Sequence, residues 1–269
     1  MRLSHALLAL YAVGSREVVR FVNQTGRLLS ALVRPALWLI VFGAGFRNVF
    51  GVSVSPPYDA PVAYQVYIVP GLVGMVLMFH AMQSSLSMVY DREMGVMRLL
   101  LTAPLPRWYL LLCKLLAGTL LAVLQAYAFL VIALLVGIDL PALGLLTALP
   151  AIVAGGLMLG ALGLLLSVHI RQLENFAGTM NFVIFPMFFF SAALYPMARL
   201  RENAEAIWWI AQVNPFTHAV ELVRFAFYGK LDGPAAAVTL AAALAFFVAA
   251  AHGYDPQRGA LRRTAPAAG

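Results

Sequence analysis

Between Trp108 and Val168 the chain carries only two charged residues, Lys114 and Asp139. Asp139 sits in a turn signal, Gly137–Pro141, and Lys114 lies near the start, so the stretch reads as two long apolar runs joined tightly. A hydrocarbon core about 30 Å thick is crossed by about 20 mostly apolar residues in a helix, which satisfies its own backbone groups. Composition extends this reading to the whole chain. Of 269 residues, 62% are hydrophobic and 11% charged, against about 25% charged in a soluble domain. The expected fold is an all-α membrane protein.

The same reading along the chain gives six transmembrane helices. They are Pro35–Phe50, Tyr64–Tyr90, Trp108–Val136, a fourth ending at Val168, Phe176–Leu194 and Ala235–Ala251. Pro35 suits the first turn of a helix, and Pro70-Gly71 marks a kink. Ahead of the first span, Arg16, Arg20, Asn23, Arg27, Ser30 and Arg34 share one stripe at 100° per residue, with Leu28, Leu29, Leu32 and Val33 off it. That pattern describes an amphipathic helix lying in the membrane interface, its arginines directed at headgroup phosphates. Before the last span, Ala206–Val213 and Phe216–Tyr228 meet at Asn214-Pro215. Each is too short to cross, so they are expected to be re-entrant or interfacial outer helices. Residues 1–34 then form the interfacial helix, 35–253 the transmembrane domain and 254–269 a tail.

Charge sets the expected orientation. The alternation of spans divides the 18 Lys and Arg residues into thirteen on the side of the N-terminus and five on the other. Cytoplasmic loops carry the excess of Lys and Arg, so both termini and Asp91–Trp108 are expected inside the cell. The net charge of +7 has the same cause, and with no basic aromatic patch it does not point to nucleic acid. The single cysteine, Cys113, excludes an internal disulfide.

Apart from Arg34 near an end, the predicted spans hold no Asp, Glu, Lys or Arg in their middles, which argues against an ion-coupled carrier. No GxxxxGK[ST], GxSxG, HExxH or CxxC pattern occurs, so the chain lacks a P-loop and any specific hydrolase or metal signal. His80, Gln83, Ser84 and Ser87 form a polar stripe at i, i+3, i+4 and i+7; it reads either as a hydrogen-bonded helix interface or as a pathway lining. Gly156, Gly160 and Gly163 permit close helix packing. Met180, Phe182, Phe185, Phe188, Phe189, Phe190 and Tyr195 give the fifth span a bulky face suited to packing, lipid or hydrophobic cargo. Glu221 and Arg224, at i and i+3, are expected to neutralise each other on an outer helix.

The segment YDREMGVMRLLLTAPLPRWYLLLCKLL from Tyr90 resembles the coupling segment of the ABC-2 type exporter permeases, in which RExG…LLxTP…K recurs. NPFTHAVELVRFAFYG from Asn214 is similar to that family's Asn-Pro-plus-helix segment before the last span. The basic N-terminal helix, Arg34-Pro35 and Pro70-Gly71 fit as well, so the resemblance covers nearly the whole chain. Within the family the chain resembles the nodulation-factor and drug-efflux branch, and a subgroup associated with quinoprotein alcohol oxidation.

The resemblance implies a permease subunit that pairs with a second permease copy and with separate ATPase subunits. ATP and Mg would be bound by those partners, with no cofactor or metal in this chain. Arg92, Glu93, Gly95, Arg98, Leu99 and Leu100 would form the coupling helix, beside the interfacial arginines Arg16, Arg20, Arg27 and Arg34. His80, Gln83, Ser84, Ser87, Phe185 and Phe189 become candidate pathway-lining residues, and Asn214, Pro215, Glu221 and Arg224 the outer gate. The expected function is efflux of an amphipathic or hydrophobic solute across a bacterial cytoplasmic membrane, without an enzymatic site in this subunit. The alternatives are a nucleotide-independent channel or scaffold, and an intramembrane enzyme using His80 or His169 with nearby serines.

Overall fold

The computed structural model describes residues 3–23, 25–45, 51–52, 57–58, 62–94, 106–170 and 172–254. The chain opens with α1 (Leu3–Asn23) and α2 (Thr25–Gly45). A two-residue antiparallel pairing follows, β1 (Gly51–Val52) with β2 (Val62–Ala63). The long helices α3 (Tyr64–Glu93) and α4 (Arg107–Leu135) come next, then α5 (Ala142–Thr147) and α6 (Leu149–His169). The chain continues through α7 (Leu173–Phe189), α8 (Met197–Asn203), α9 (Glu205–Val213), α10 (Pro215–Phe227) and α11 (Gly233–Gly253).

At the centre stands α3. It packs against α2, α4, α6, α7 and α10, and every residue from Tyr67 to Met82 is buried. Its sequence fits this position: it is the least apolar of the four long helices and carries His80, Gln83, Ser84 and Ser87, and polar side chains within a membrane segment face protein rather than lipid. The Pro70-Gly71 pair does not interrupt the helix, which runs unbroken from Tyr64 to Glu93. Its role is proximity. A side chain at Gly71 would collide with the backbone of Ala193, so this glycine lets the turn after α7 press onto α3. The Gly156, Gly160 and Gly163 stripe of α6 does the same work against Thr119 and Leu115 of α4 and Ser85 of α3.

Four helical segments are long and apolar enough to cross a membrane: Tyr64–Glu93, Arg107–Leu135, Ala142–His169 and Gly233–Gly253. They correspond to the expected second, third, fourth and sixth spans. The first falls on α2, whose apolar part runs Leu32–Phe42. The fifth falls on α7, which has 17 residues. It stops at Phe190, where the Ser191 hydroxyl bonds the Phe188 carbonyl and accepts from the Ala193 N–H, turning the chain back. The stripe residues of the expected amphipathic helix lie on α1 and α2.

The expected break at Asn214-Pro215 is present. Asn214 caps α10 by accepting from the Phe216 N–H, and Pro215 occupies the first turn.

Candidate functional site

Three consecutive charged residues close α3, and between them they bind four other helices. Successive helical residues are turned by 100°, so Asp91, Arg92 and Glu93 point to three sides of the bundle. Asp91, only 1% exposed, receives Arg20 at 2.9 Å and Arg16 at 3.1 Å from α1, and Lys114 at 3.4 Å from α4. Arg92 donates to the Ser167, Val168 and Ile170 carbonyls where α6 ends, the last at 2.9 Å. Terminal helix carbonyls have no partner of their own and favour a cation. Glu93 accepts from the Leu173 N–H in the first turn of α7 at 3.0 Å, the complementary arrangement of an anion at a helix N-terminus. The triplet thus ties α1, α4, α6 and α7 to the last turn of α3.

The electrostatics follow from burial. One carboxylate is surrounded by three cations, in a place where removing either partner is costly. Burial by itself would lower the pKa of Arg20, but its hydrogen bond and attraction to Asp91 outweigh this and hold it above the ordinary guanidinium value.

The expected site residues are placed as follows. Arg16 and Arg20 turn inward to Asp91, while Leu7, Leu8, Tyr11, Val18, Val19 and Val22 of α1 are exposed. The arginine stripe was expected to face headgroup phosphates; on α1, Arg16 and Arg20 have Asp91 as their partner. Arg34 lies over the Phe79 ring, 4.1 Å from its centroid. Arg27 lies on α2, its side chain outside the described residues. Arg92 and Glu93 have the partners given above, and Gly95, Arg98, Leu99 and Leu100 lie outside the described residues.

His80 bonds Gln125 of α4 through Nδ1 at 2.8 Å and meets Phe21 of α1 edge-on at 6.0 Å. Gln83, Ser84 and Ser87 line a cavity beside it, and Ser87 donates to its own helix at the Ser84 carbonyl. Among the described residues no serine hydroxyl is paired with His80, and His169 bonds the Leu165 carbonyl of its own helix. Phe185 and Phe189 stack on each other on the exposed side of α7, a different face from the His80 stripe. Trp38 of α2 joins them, 6.0 Å from Phe189.

At the opposite end of α3, Asn214 donates to the Met187 and Phe190 carbonyls at 2.7 and 2.8 Å, tying the end of α7 to the start of α10. Arg224, 1% exposed, pairs with Glu221, donates to the Ala192 carbonyl at 2.7 Å and lies 4.0 Å from the Tyr67 ring centroid. Tyr58 packs in the same cluster, and burial pushes its phenol pKa up to about 12. Sequence reasoning did not single out Asp91, Lys114, Gln125 or Tyr67. For Asp91 and Lys114 a signal was available, as charges at the ends of apolar runs need partners. Nothing local marks Gln125 or Tyr67.

A helical, multi-pass membrane protein is thereby defined, with a charged clamp beside the α3–α4 connection and a broken helix at the other end. Residues 9–228 match the ABC-2 type transporter family, and the chain belongs to that family. Similar proteins are described as "Putative transport permease ycf38". The one from Cyanophora paradoxa is 27% identical over 80% of this chain and 73% of its own length. Those from Pyropia yezoensis and Porphyra purpurea are 31% and 29% identical, the matches spanning 34% and 31% of their lengths. Family membership identifies a transport permease and implies a partner ATPase subunit.

Proposed function

We propose that this chain is the membrane subunit of an ATP-driven exporter, in which a separate ATPase moves the α3–α4 connection and the Asp91–Glu93 triplet passes that motion to the bundle. The triplet carries the reading. It is the last turn of α3 before the connection, and it holds four other helices by charged bonds. A push on Gly95–Leu100 would therefore reach α1, α4, α6 and α7 together. In this reading α2 and α7 complete six spans, and the basic Asp91 end faces the cytoplasm of a bacterial cell, with both termini on that side.

A second permease copy is expected against the exposed face formed by Leu37, Ile40 and Val41 of α2 with Phe182, Phe185 and Phe189 of α7. The aromatic face suits an amphipathic or hydrophobic cargo, and the Asn214–Arg224 hairpin would serve as the outer gate. The test is co-reconstitution with a candidate ATPase in liposomes, measuring nucleotide-dependent efflux. Assembly with ATP-driven transport is expected, and Asp91→Asn should keep assembly while uncoupling hydrolysis from efflux. Solute flux that proceeds equally without nucleotide would refute the proposal.

A further inference from the structure

At the Tyr64 end, α8 and α9 lie outside the packed core: of their residues only Ala211 is buried. The main packing partners of α9 are α8 and α10. At 100° per residue, Trp209, Val213, Ala206 and Ile210 share an arc about 100° wide, and all four are exposed. The opposite side carries Ile207, Trp208, Ala211 and Gln212, which are half-buried or buried. The helix therefore turns an apolar face outward, where a helix facing water carries polar residues. Charges rim that face. Arg199, Arg201 and Glu202 of α8 and Glu205 at the start of α9 are all exposed. Arg199 pairs with Glu202 at 4.0 Å, and Arg201 lies over the Trp208 ring, 5.4 Å from its centroid.

The level of this hairpin follows from α3. The Ala193 turn presses on Gly71, which lies about 30 Å from Asp91 at 1.5 Å per residue, the thickness of a hydrocarbon core. With the charged clamp at one boundary, the 191–194 turn lies at the other. Asn214, which ends α9, bonds the Met187 and Phe190 carbonyls just ahead of that turn, so α9 runs back to the same boundary.

We propose that the α8–α9 hairpin docks on the bilayer surface at the Tyr64 end, seated among zwitterionic phospholipid headgroups. Its charges lie on α8 and at the start of α9, and its apolar residues toward the end that returns to the boundary. A bilayer presents headgroups and then acyl chains in that same order. Trp209 sits at the level where tryptophan is enriched in membrane proteins, with Ile210 and Val213 in the upper acyl region. The two arginines are balanced by two carboxylates, so the hairpin gains nothing from an anionic lipid, unlike a polybasic segment. A headgroup phosphate matches Arg201 and a headgroup cation matches Glu205. The docking bears on the bundle through Asn214, whose N–H bonds the Ile210 carbonyl at 3.1 Å and whose side chain caps α10. His218 of α10 bonds the Gln212 carbonyl at 2.9 Å. No spare residue separates the docked helix from α10, so lipid packing at this surface positions α10. This reading needs only a bilayer and stands whether or not efflux is driven by nucleotide.

The test uses the full chain in nanodiscs of phosphatidylcholine, with and without phosphatidylglycerol. Val213→Cys is labelled with the fluorophore NBD, Cys113 being buried. Its emission should be quenched more by lipids brominated on the upper acyl carbons than by lipids brominated near the bilayer centre, and equally in both nanodiscs. On the unaltered chain, phosphatidylcholine carrying a diazirine near the glycerol should label Trp209, Ile210 or Val213, which needs no variant to fold. Quenching by aqueous iodide alone, or strongest from the bilayer centre, would overturn the proposal, as would labelling confined to α4 and α11. Disulfide crosslinking of Val213→Cys between two copies, with lipid labelling lost, would assign the face to a second permease copy instead. Deeper seating in the presence of phosphatidylglycerol would refute the zwitterionic match.

Discussion

At one end of α3, Asp91 gathers Arg16, Arg20 and Lys114 from two other helices, whereas at the other Arg224 is met by a glutamate three residues away, a carbonyl and the ring of Tyr67. Both ends bury charge, but they distribute it differently. The Asp91 end joins segments about 20 to 80 residues apart, α1 through Arg16 and Arg20 and the other helices through one charged side chain each. Removing one link there takes away a charged tie between helices and leaves only their packing. The Tyr64 end joins α3 to the 187–194 turn, and that turn to the 214–224 helix, through several bonds at once, Tyr64 and Tyr67 donating to the Leu194 and Ala192 carbonyls. Loss of one bond there leaves others holding. The first arrangement suits an element that relays movement; the second suits one that stays closed until the bundle moves.

Asp91 is where the two ends of α3 should differ most. Asp91→Ala strands three cations in or beside the protein and should cost about 3–5 kcal/mol of stability, read by SDS titration in mixed micelles. A loss below about 1 kcal/mol would mean that the clamp is solvated rather than structural. Arg224→Met should cost about 3 kcal/mol, since Glu221 and the Ala192 carbonyl lose their partner, while hydrolysis by the assembled ATPase remains coupled. Uncoupling in this variant would erase the proposed division between the two ends. Gly71→Ala, forced against the Ala193 backbone, should cost about 1–3 kcal/mol and loosen the Tyr64 end, seen as faster hydrogen exchange in residues 190–195.

Glu93→Gln keeps the acceptor but removes the anion from the start of α7, a loss of about 0.5 kcal/mol. It should appear as a small shift in the same denaturation and a measurable loss of efflux. At neutral pH Tyr58→Phe should be the mildest change. Because burial raises the Tyr58 pKa from 10.0 to about 12, the folded state holds that proton while the unfolded state releases it. Its contribution is full below pH 10 and is lost as pH rises toward 12. Tyr58→Phe should therefore flatten the alkaline stability loss in that window, and an unchanged slope would place the phenol in solvent.

What the sequence disclosed is whatever depends on local order. The four long apolar segments, the break at Asn214-Pro215, the glycine packing stripe and the Glu221–Arg224 pair all follow from spacing within a helix or a turn. What it concealed depends on which helices meet. The arginine stripe of α1 has the same periodicity whether it faces phosphates or Asp91, so periodicity could not decide its direction. His80 was legible as a polar residue in an apolar run, but Gln125, 45 residues away, was not legible as its partner. The Pro70-Gly71 pair was read as a kink because proline commonly bends helices. The glycine has a further role, close contact with Ala193, and the helix stays continuous through the pair. Gly95–Leu100, on which much of the family resemblance rests, lies outside the described residues.

Asn214 carries a demand on amino-acid chemistry that its position alone does not reveal. Its amide nitrogen donates to two carbonyls at the end of α7, while its oxygen receives the Phe216 N–H of α10. One side chain thus presents opposite polarities to two helices. Aspartate, an equally good N-cap in isolation, would turn an anionic oxygen toward the Met187 and Phe190 carbonyls. Serine caps well but has one hydroxyl hydrogen to share between two acceptors. An ordinary cap tolerates exchange among small polar residues; this one discriminates between amide and acid, two side chains of nearly identical shape.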